Sequence, residues 1–327
     1  MRASQTVTGT DRLRTGLVGA GIGPSLSPAL HEREADALGL PLRYDRWDLD
    51  AMGVDTADVG TVLDHARAAG YRGLNVTHPA KQAVIAHLDG LSPDAAAIGA
   101  VNTVVIGADG SLTGHNTDWT GFRDGLRDGL PGVRPERVVL LGAGGAGAAA
   151  GYALAREGVR WLHVVDVDGG RATALAAALA PQLSAGSVAT GHGRDELEDL
   201  LPHAGGLVHA TPVGMAAHPG SPCDAALLAH RPWVAEIVYR PLDTALLADA
   251  RAAGCRTVDG GRMVVHQAAE AFRLFTGRTP DTGRMLGHLA ELVGAEQGCG
   301  HGSEHGSGHG SERDGADDEG NGAGRVA

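Results

Sequence analysis

One lysine, Lys81, stands against 26 arginines in this 327-residue chain. An arginine keeps its proton inside a protein, whereas a lysine amine can release and regain one. A solitary lysine in a chain that otherwise uses arginine for positive charge is therefore a candidate proton donor and acceptor. The plainer alternative is a surface residue with no chemical role. The setting, Asn75-Val-Thr-His-Pro-Ala-Lys81, sharpens the case. Gly73-Leu-Asn-Val-Thr77 reads as a buried strand, and Pro79 suits the first turn of a helix. Lys81 is expected in that first turn, where the positive end of the helix dipole disfavours a second positive charge and favours proton release.

A second group of residues points to a nucleotide. Gly142-Ala143-Gly144-Gly145-Ala146-Gly147 stands between a predicted strand over 137–141 and a predicted helix over 146–157, and Asp166 ends the next strand, 19 residues after Gly147. In that context Gly142 permits a tight turn, Gly144 lets the backbone approach a pyrophosphate, and Gly147 allows close helix packing, with the helix N-terminus facing the phosphates. The competing explanation is an ordinary small-residue helix start in a chain with 51 glycines. A carboxylate at Asp166 accepts hydrogen bonds from ribose hydroxyls and repels the extra phosphate of NADP, with Asp168 adding to the repulsion. NAD is the expected cofactor and NADP the lesser candidate. Arg171 has two readings, stacking on adenine or binding a phosphate.

These groups need a scaffold. Strands are expected over 15–19, 42–49 and 73–77, with helices over 28–38, where Ser27 is a natural N-cap, over 56–69, and from the Lys81 turn to Leu88. Segments 101–106 and 112–116 flank Asp109-Gly110, a hairpin turn, which gives the first unit a mixed sheet. After Asp118 strands and helices alternate: strands over 137–141, 161–166, 206–210, 233–238 and 256–258, and helices to Leu130 and over 171–180, 195–200 and 244–253. Such alternation implies a doubly wound parallel sheet. Residues 263–292 return to helical periodicity, with Val264, Ala268, Ala271, Phe272 and Phe275 on one face, expected to pack back on the first unit. The expected architecture is α/β with two domains. A leader spans 1–13, an N-terminal α/β substrate-binding and catalytic domain spans 14–118 plus 263–294, a Rossmann-type domain spans 119–262, and a disordered Gly/Ser/His/acidic tail spans 295–327.

Composition excludes several classes. Net charge is −12, with seven acids and two arginines in the last 32 residues, so the mildly acidic body lacks the basic face that nucleic acid requires. No run of 18 strongly apolar residues exists, so no membrane span is expected. Cys223, Cys255 and Cys299 are odd in number and far apart, which gives neither a disulfide framework nor a metal pair and fits a reducing cytoplasm. Met1 to Arg14 lacks the apolar stretch of a signal peptide. His301, His305 and His309 recur every four residues, but the interleaved glycines oppose a helix, so no metal site is assigned.

With Lys81 and the glycine loop placed, the chain resembles the shikimate dehydrogenase family from about Gly16 to Leu292. The resemblance is carried by Ser25-Leu-Ser27-Pro, Asn75-Val-Thr77-His-Pro-Ala-Lys81, Gly99-Ala-Val-Asn102-Thr, Asn116-Thr-Asp118-Trp-Thr-Gly121, the glycine loop, Ala210-Thr-Pro-Val-Gly-Met215, Tyr239-Arg-Pro and Gln267. Gly19-Ala-Gly21, Val165-Asp-Val-Asp168 and Asp259-Gly-Gly-Arg-Met-Val-Val-His-Gln267 are similar to the NAD-dependent quinate/shikimate dehydrogenase branch. The chain departs from the family at Pro24 and Leu26, where histidine and lysine are usual, and at His209 and Glu236, where asparagine and aspartate are usual.

The resemblance implies that Ser25 and Ser27 hold a ring carboxylate with Tyr239 nearby, that Thr77, Asn102 and Gln267 contact ring hydroxyls, and that Lys81 and Asp118 face the hydroxyl or ketone that reacts. It places Thr211, Met215 and Gly260 with the cofactor. Plainer roles stay open. Ser25 and Ser27 could cap the helix beginning at Pro28, Asp118 or Thr117 could cap the helix running to Leu130, Asn102 could pin a turn, Gln267 could be solvated, and Tyr239 could serve packing. The implied activity is reversible hydride transfer between NAD and a ring hydroxyl, shikimate to 3-dehydroshikimate or quinate to 3-dehydroquinate. Alternatives are an aminoshikimate dehydrogenase on the same scaffold, a noncatalytic NAD-binding sensor, and a metal-handling role for the histidine tail. The protein partner considered is a second copy of the chain, as a homodimer.

Overall fold

The structure is a computed structural model that describes residues 12–300, with side chains as far as residue 295. Most of the expected leader and of the expected tail, with His301, His305 and His309, lies outside the described residues.

Two six-stranded sheets organise the chain. The first contains β1 (Leu13–Gly19), β2 (Leu42–Asp48), β3 (Gly73–Val76), β4 (Gly90–Leu91), β5 (Thr103–Ile106) and β6 (Leu112–His115), in the order β2-β1-β3-β5-β6-β4. Only β5 runs against its neighbours, so the sheet is mixed as expected. The second contains β7 (Arg137–Leu141), β8 (Trp161–Asp166), β9 (Val188–Gly193), β10 (Gly206–His209), β11 (Trp233–Glu236) and β12 (Thr257–Val258), in the order β12-β11-β10-β7-β8-β9 and parallel throughout. That is a doubly wound order, and it reverses between β7 and β10. Val138, Val139 and Leu140 have no exposed surface, as a parallel strand covered on both faces requires.

The helix Asp118–Gly129 joins the two units. It presents Trp119, Phe122 and Leu126 to a core shared with Val138, Leu140 and Tyr152. The long helix Gly260–Thr276 lies against it closely enough that a Cβ at Gly121 would stand 2.6 Å from that of Gln267. Phe272 then reaches the first sheet among Leu17, Leu42 and Tyr44. The last helix, Thr282–Gly300, packs Met285, Leu289 and Val293 on Leu26 and Leu30. None of the described helices is long and apolar enough to cross a membrane.

Several local expectations fail. No α-helix follows Pro79. Residues 78–82 form a turn, and only a 3-10 helix, Ala83–His87, comes after it. Leu26, not Ser27, holds the cap position of the helix Ser27–Ala37, with no side-chain hydrogen bond there. The strand β9 was not anticipated. It is half-exposed at the sheet edge and contains Gly191, where a Cβ would fall 2.3 Å from the Thr173 nitrogen. The final helix continues through 295–300, residues assigned to a disordered tail.

Candidate active site

Lys81 is placed by tertiary contacts rather than by a helix. Beyond β3 the Thr77 N–H donates to the Val18 carbonyl at 2.9 Å, and the Lys81 carbonyl accepts from the Val101 N–H at 2.9 Å. The helix-dipole contribution expected at this lysine has no helix to supply it. What faces Lys81 instead is Asp118, with Nζ 2.6 Å from Oδ2. Their side chains are 26% and 13% exposed, so the pair sits where charge interactions are stronger than in water.

Asp118 is available for this contact because Asn116 does the capping. Its Oδ1 accepts from the Asp118 N–H at 3.1 Å and from the Trp119 N–H at 3.3 Å, while its Nδ2 donates to the Ala100 carbonyl at 3.0 Å. The capping role considered for Asp118 or Thr117 therefore falls to Asn116. Asn102 does pin its neighbourhood, since its Oδ1 accepts from the Thr117 N–H at 2.6 Å. Its Nδ2 also donates to Thr117 Oγ1 at 3.0 Å and to Gln267 Oε1 at 3.2 Å, which joins the long C-terminal helix to the first sheet. Behind it, Asn75 receives the Tyr44 hydroxyl at 2.8 Å. Burial pushes the Tyr44 phenol well above its ordinary range, which keeps it a donor.

The serines stand on a braced turn. Asp48, at the end of β2, accepts from the Gly21 and Ile22 N–H groups at 3.2 and 2.9 Å. Arg240 donates to the Pro24 carbonyl and Arg46 to the Ser25 carbonyl, both at 2.8 Å. Ser25 Oγ accepts the Ser27 N–H at 3.3 Å. A cavity of about 470 Å³ opens here, and Ser25, Ser27, Thr77, Lys81, Asn102, Asp118, Tyr239 and Gln267 all line it. Arg240 lines it too, a cation not anticipated although Tyr239-Arg-Pro had drawn notice.

A second cavity of about 890 Å³ lies at the reversal of strand order, lined by Gly142, Gly144, Gly145, Ala146, Asp166, Arg171, Thr211 and Met215. Gly142 has φ +110, where only glycine is at ease, and a Cβ at Gly147 would lie 2.0 Å from the Gly142 carbonyl oxygen. At Gly145, the first residue of the helix Gly145–Arg156, a Cβ would meet nothing within 4 Å, so helix N–H groups border open space. Asp166 is 7% exposed, accepts from the Ala143 N–H at 2.7 Å and the Asp168 N–H at 3.0 Å, and so braces the loop it faces. Arg171 reaches back over that loop, its Nη2 3.7 Å from where a Gly144 Cβ would be.

Three residues assigned to the cofactor do not line this cavity. Ala143 contributes its N–H to Asp166, Gly147 packs beneath Gly142, and Gly260 packs where a Cβ would stand 2.3 Å from the Ile237 carbonyl oxygen. Asp168 is likewise absent from the lining, because its carboxylate caps the helix Gly169–Leu179 through the Gly170 and Arg171 N–H groups. The two cavities share Ala146, Met215, Ile237, Tyr239 and Arg240 as a common wall. Tyr152, on the glycine-loop helix, donates to Asp94 of the first unit at 2.6 Å; burial, then this bond, pushes its phenol up to about 12.

The family model described as the shikimate dehydrogenase substrate binding domain matches residues 17–104, and that described as the shikimate 5'-dehydrogenase C-terminal domain matches residues 261–289. The chain is 57% identical over 284 residues to the shikimate dehydrogenase (NADP(+)) of Streptomyces avermitilis, covering 87% of this chain and 97% of that one. It is 49% identical over 277 residues to the quinate/shikimate dehydrogenase (NAD(+)) of Corynebacterium efficiens, covering 84% and 96%. A solved structure of quinate dehydrogenase from Corynebacterium glutamicum in complex with NAD superposes with a TM-score of 0.82 at 46% identity, over 86% of this chain and 99% of that one.

Proposed function

The chain belongs to the shikimate dehydrogenase family and is an oxidoreductase; from that premise we propose reversible NAD-linked hydride transfer at a ring hydroxyl of shikimate or quinate, with Lys81 moving the proton. The observation that carries this reading is the Lys81–Asp118 pair, 2.6 Å apart inside the cavity that adjoins the larger one.

In the direction of oxidation, the Lys81 amine takes the proton of the reacting hydroxyl. In reduction its ammonium returns a proton to the developing alkoxide. Asp118 balances the ammonium and keeps Nζ aimed at the ring oxygen. Ser25 and Ser27 bind the ring carboxylate with hydroxyl donors, and Arg240 adds positive charge to the same cavity. Thr77, Asn102 and Gln267 take the remaining ring hydroxyls, a set of fixed partners that penalises rings lacking them. When bound, the dinucleotide supplies the hydride acceptor or donor. The open helix start at Gly145, the backbone of Gly142 and Gly144, and Asp166 fit such a group in a cavity of about 890 Å³.

NAD is preferred over NADP on the strength of Asp166, whose buried carboxylate would face an added ribose phosphate. The test is a spectrophotometric panel of NAD and NADP, each with shikimate and quinate. Turnover with NAD and at least one ring is expected, and Asp166→Ala should shift the kcat/KM ratio toward NADP. No reduced cofactor in any combination would sink the activity. An unchanged ratio in the variant would remove Asp166 from cofactor choice.

A further inference from the structure

We propose that His209 and Glu236, a buried pair at the ends of β10 and β11, are positioning residues for the larger cavity. Through one directed chain of hydrogen bonds they hold the loop 211–215 and the segment 238–240 in the shape that receives the dinucleotide. This rests on the reading of that cavity as the dinucleotide site.

The two residues are register partners on neighbouring strands, 0% and 2% exposed, and neither lines either of the two cavities. His209 Nδ1 lies 2.9 Å from Glu236 Oε1 and 3.1 Å from Oε2, and Nε2 lies 2.5 Å from Thr211 Oγ1. The carboxylate also accepts the Val238 N–H at 2.9 Å and the Thr244 hydroxyl at 3.1 Å. The directions follow from what each group can do. A carboxylate only accepts, so Nδ1 carries the imidazole proton. In the proposed chain Nε2 then accepts, so that the Thr211 hydroxyl donates to it. That leaves Thr211 Oγ1 as acceptor for the Val213 N–H at 3.3 Å, which turns the loop.

One end of the chain thus fixes the loop after β10, and the other fixes the backbone after β11. Met215 and Tyr239, which these two segments carry, stand in the wall between the cavities. An apolar pair of the same volume would fill the space without setting these directions. A fully satisfied buried network holds one geometry.

His209→Asn retains a donor near Nδ1 and removes the bond to Thr211, and Thr211→Val removes the same bond from its other side together with the Val213 N–H contact. Each variant should bind NAD about tenfold more weakly by isothermal titration calorimetry, with the melting temperature near the parent's. The double variant should bind no more weakly than Thr211→Val alone, because that variant already lacks the bond that His209→Asn removes. Nitrogen-resolved NMR of the parent should find the His209 proton on Nδ1. NAD affinity within twofold of the parent in both single variants, losses that multiply in the double variant, or a proton on Nε2 would each overturn the proposal. Should the Asn variant fail to fold, Thr211→Val with the ring spectrum decides the matter alone. A parent that binds neither NAD nor NADP would bring down the cavity assignment and this inference together, whereas a binding parent with unaffected variants overturns only the inference.

Discussion

At the Lys81–Asp118 pair, Nζ and a carboxylate oxygen 2.6 Å apart and mostly out of water hold each other in a single arrangement, so the nitrogen enters each turnover already aimed. Lys81→Ala should lower kcat about a hundred- to ten-thousand-fold while the KM for the ring changes by only a few-fold. Lys81→Arg should not rescue it, because a guanidinium keeps its proton. Steady-state kinetics decide, and near-normal kcat in either variant removes the lysine from the chemistry. Lys81 was legible because it is the only lysine in the chain. The cap of its partner's helix was not. Asn116, Thr117 and Asp118 are three consecutive residues that can each cap a helix, and a distant carbonyl at Ala100 decides among them.

Elements with strong periodicity were legible, and those decided by remote partners were not. The apolar run of β7 followed at once by glycines gave the strand, loop and helix of the larger cavity. After Pro79 local preference favoured a helix, but the Lys81 carbonyl is engaged by Val101 instead. The C-terminal helices show how an element can serve the site at a distance. Glu34 is fully buried on the helix that begins at Ser27, and Arg284 grips it with two bonds of 2.9 and 2.7 Å. The Asp281 N–H adds a third bond at 2.8 Å. Arg284→Ala leaves that carboxylate buried and only partly satisfied, and should lower the denaturation midpoint. It should also raise the KM for the ring more than that for NAD, since the anchored helix carries Ser27. Chemical denaturation and paired KM values check both, and an unchanged midpoint would show the fork to be incidental.

For the whole molecule, the architecture brings a smaller cavity on the mixed sheet against a larger one at the reversal of the parallel sheet. His31 is an acid-sensitive point in the first unit. Burial lowers the His31 pKa from 6.5 to about 3, among the rings of Tyr44, Phe272 and Phe275. Between those values the unfolded chain binds a proton that the folded chain refuses. Stability should therefore fall as pH drops from about 6.5 toward about 3, by at most about 1.4 kcal/mol per pH unit from this group. His31→Leu should flatten that slope in denaturation curves taken across the range, and an unchanged slope would mean other groups govern it. The two-unit plan itself was legible from the alternation of elements, whereas the shared wall was not, because Ala146, Met215, Ile237, Tyr239 and Arg240 meet only after both units fold. Direct transfer across that wall is tested by deuterium at the ring carbon that bears the reacting hydroxyl. With NAD and labelled quinate or shikimate in ordinary water, mass spectrometry should find the label on the reduced cofactor, and reduced cofactor without the label would contradict hydride transfer between the two cavities.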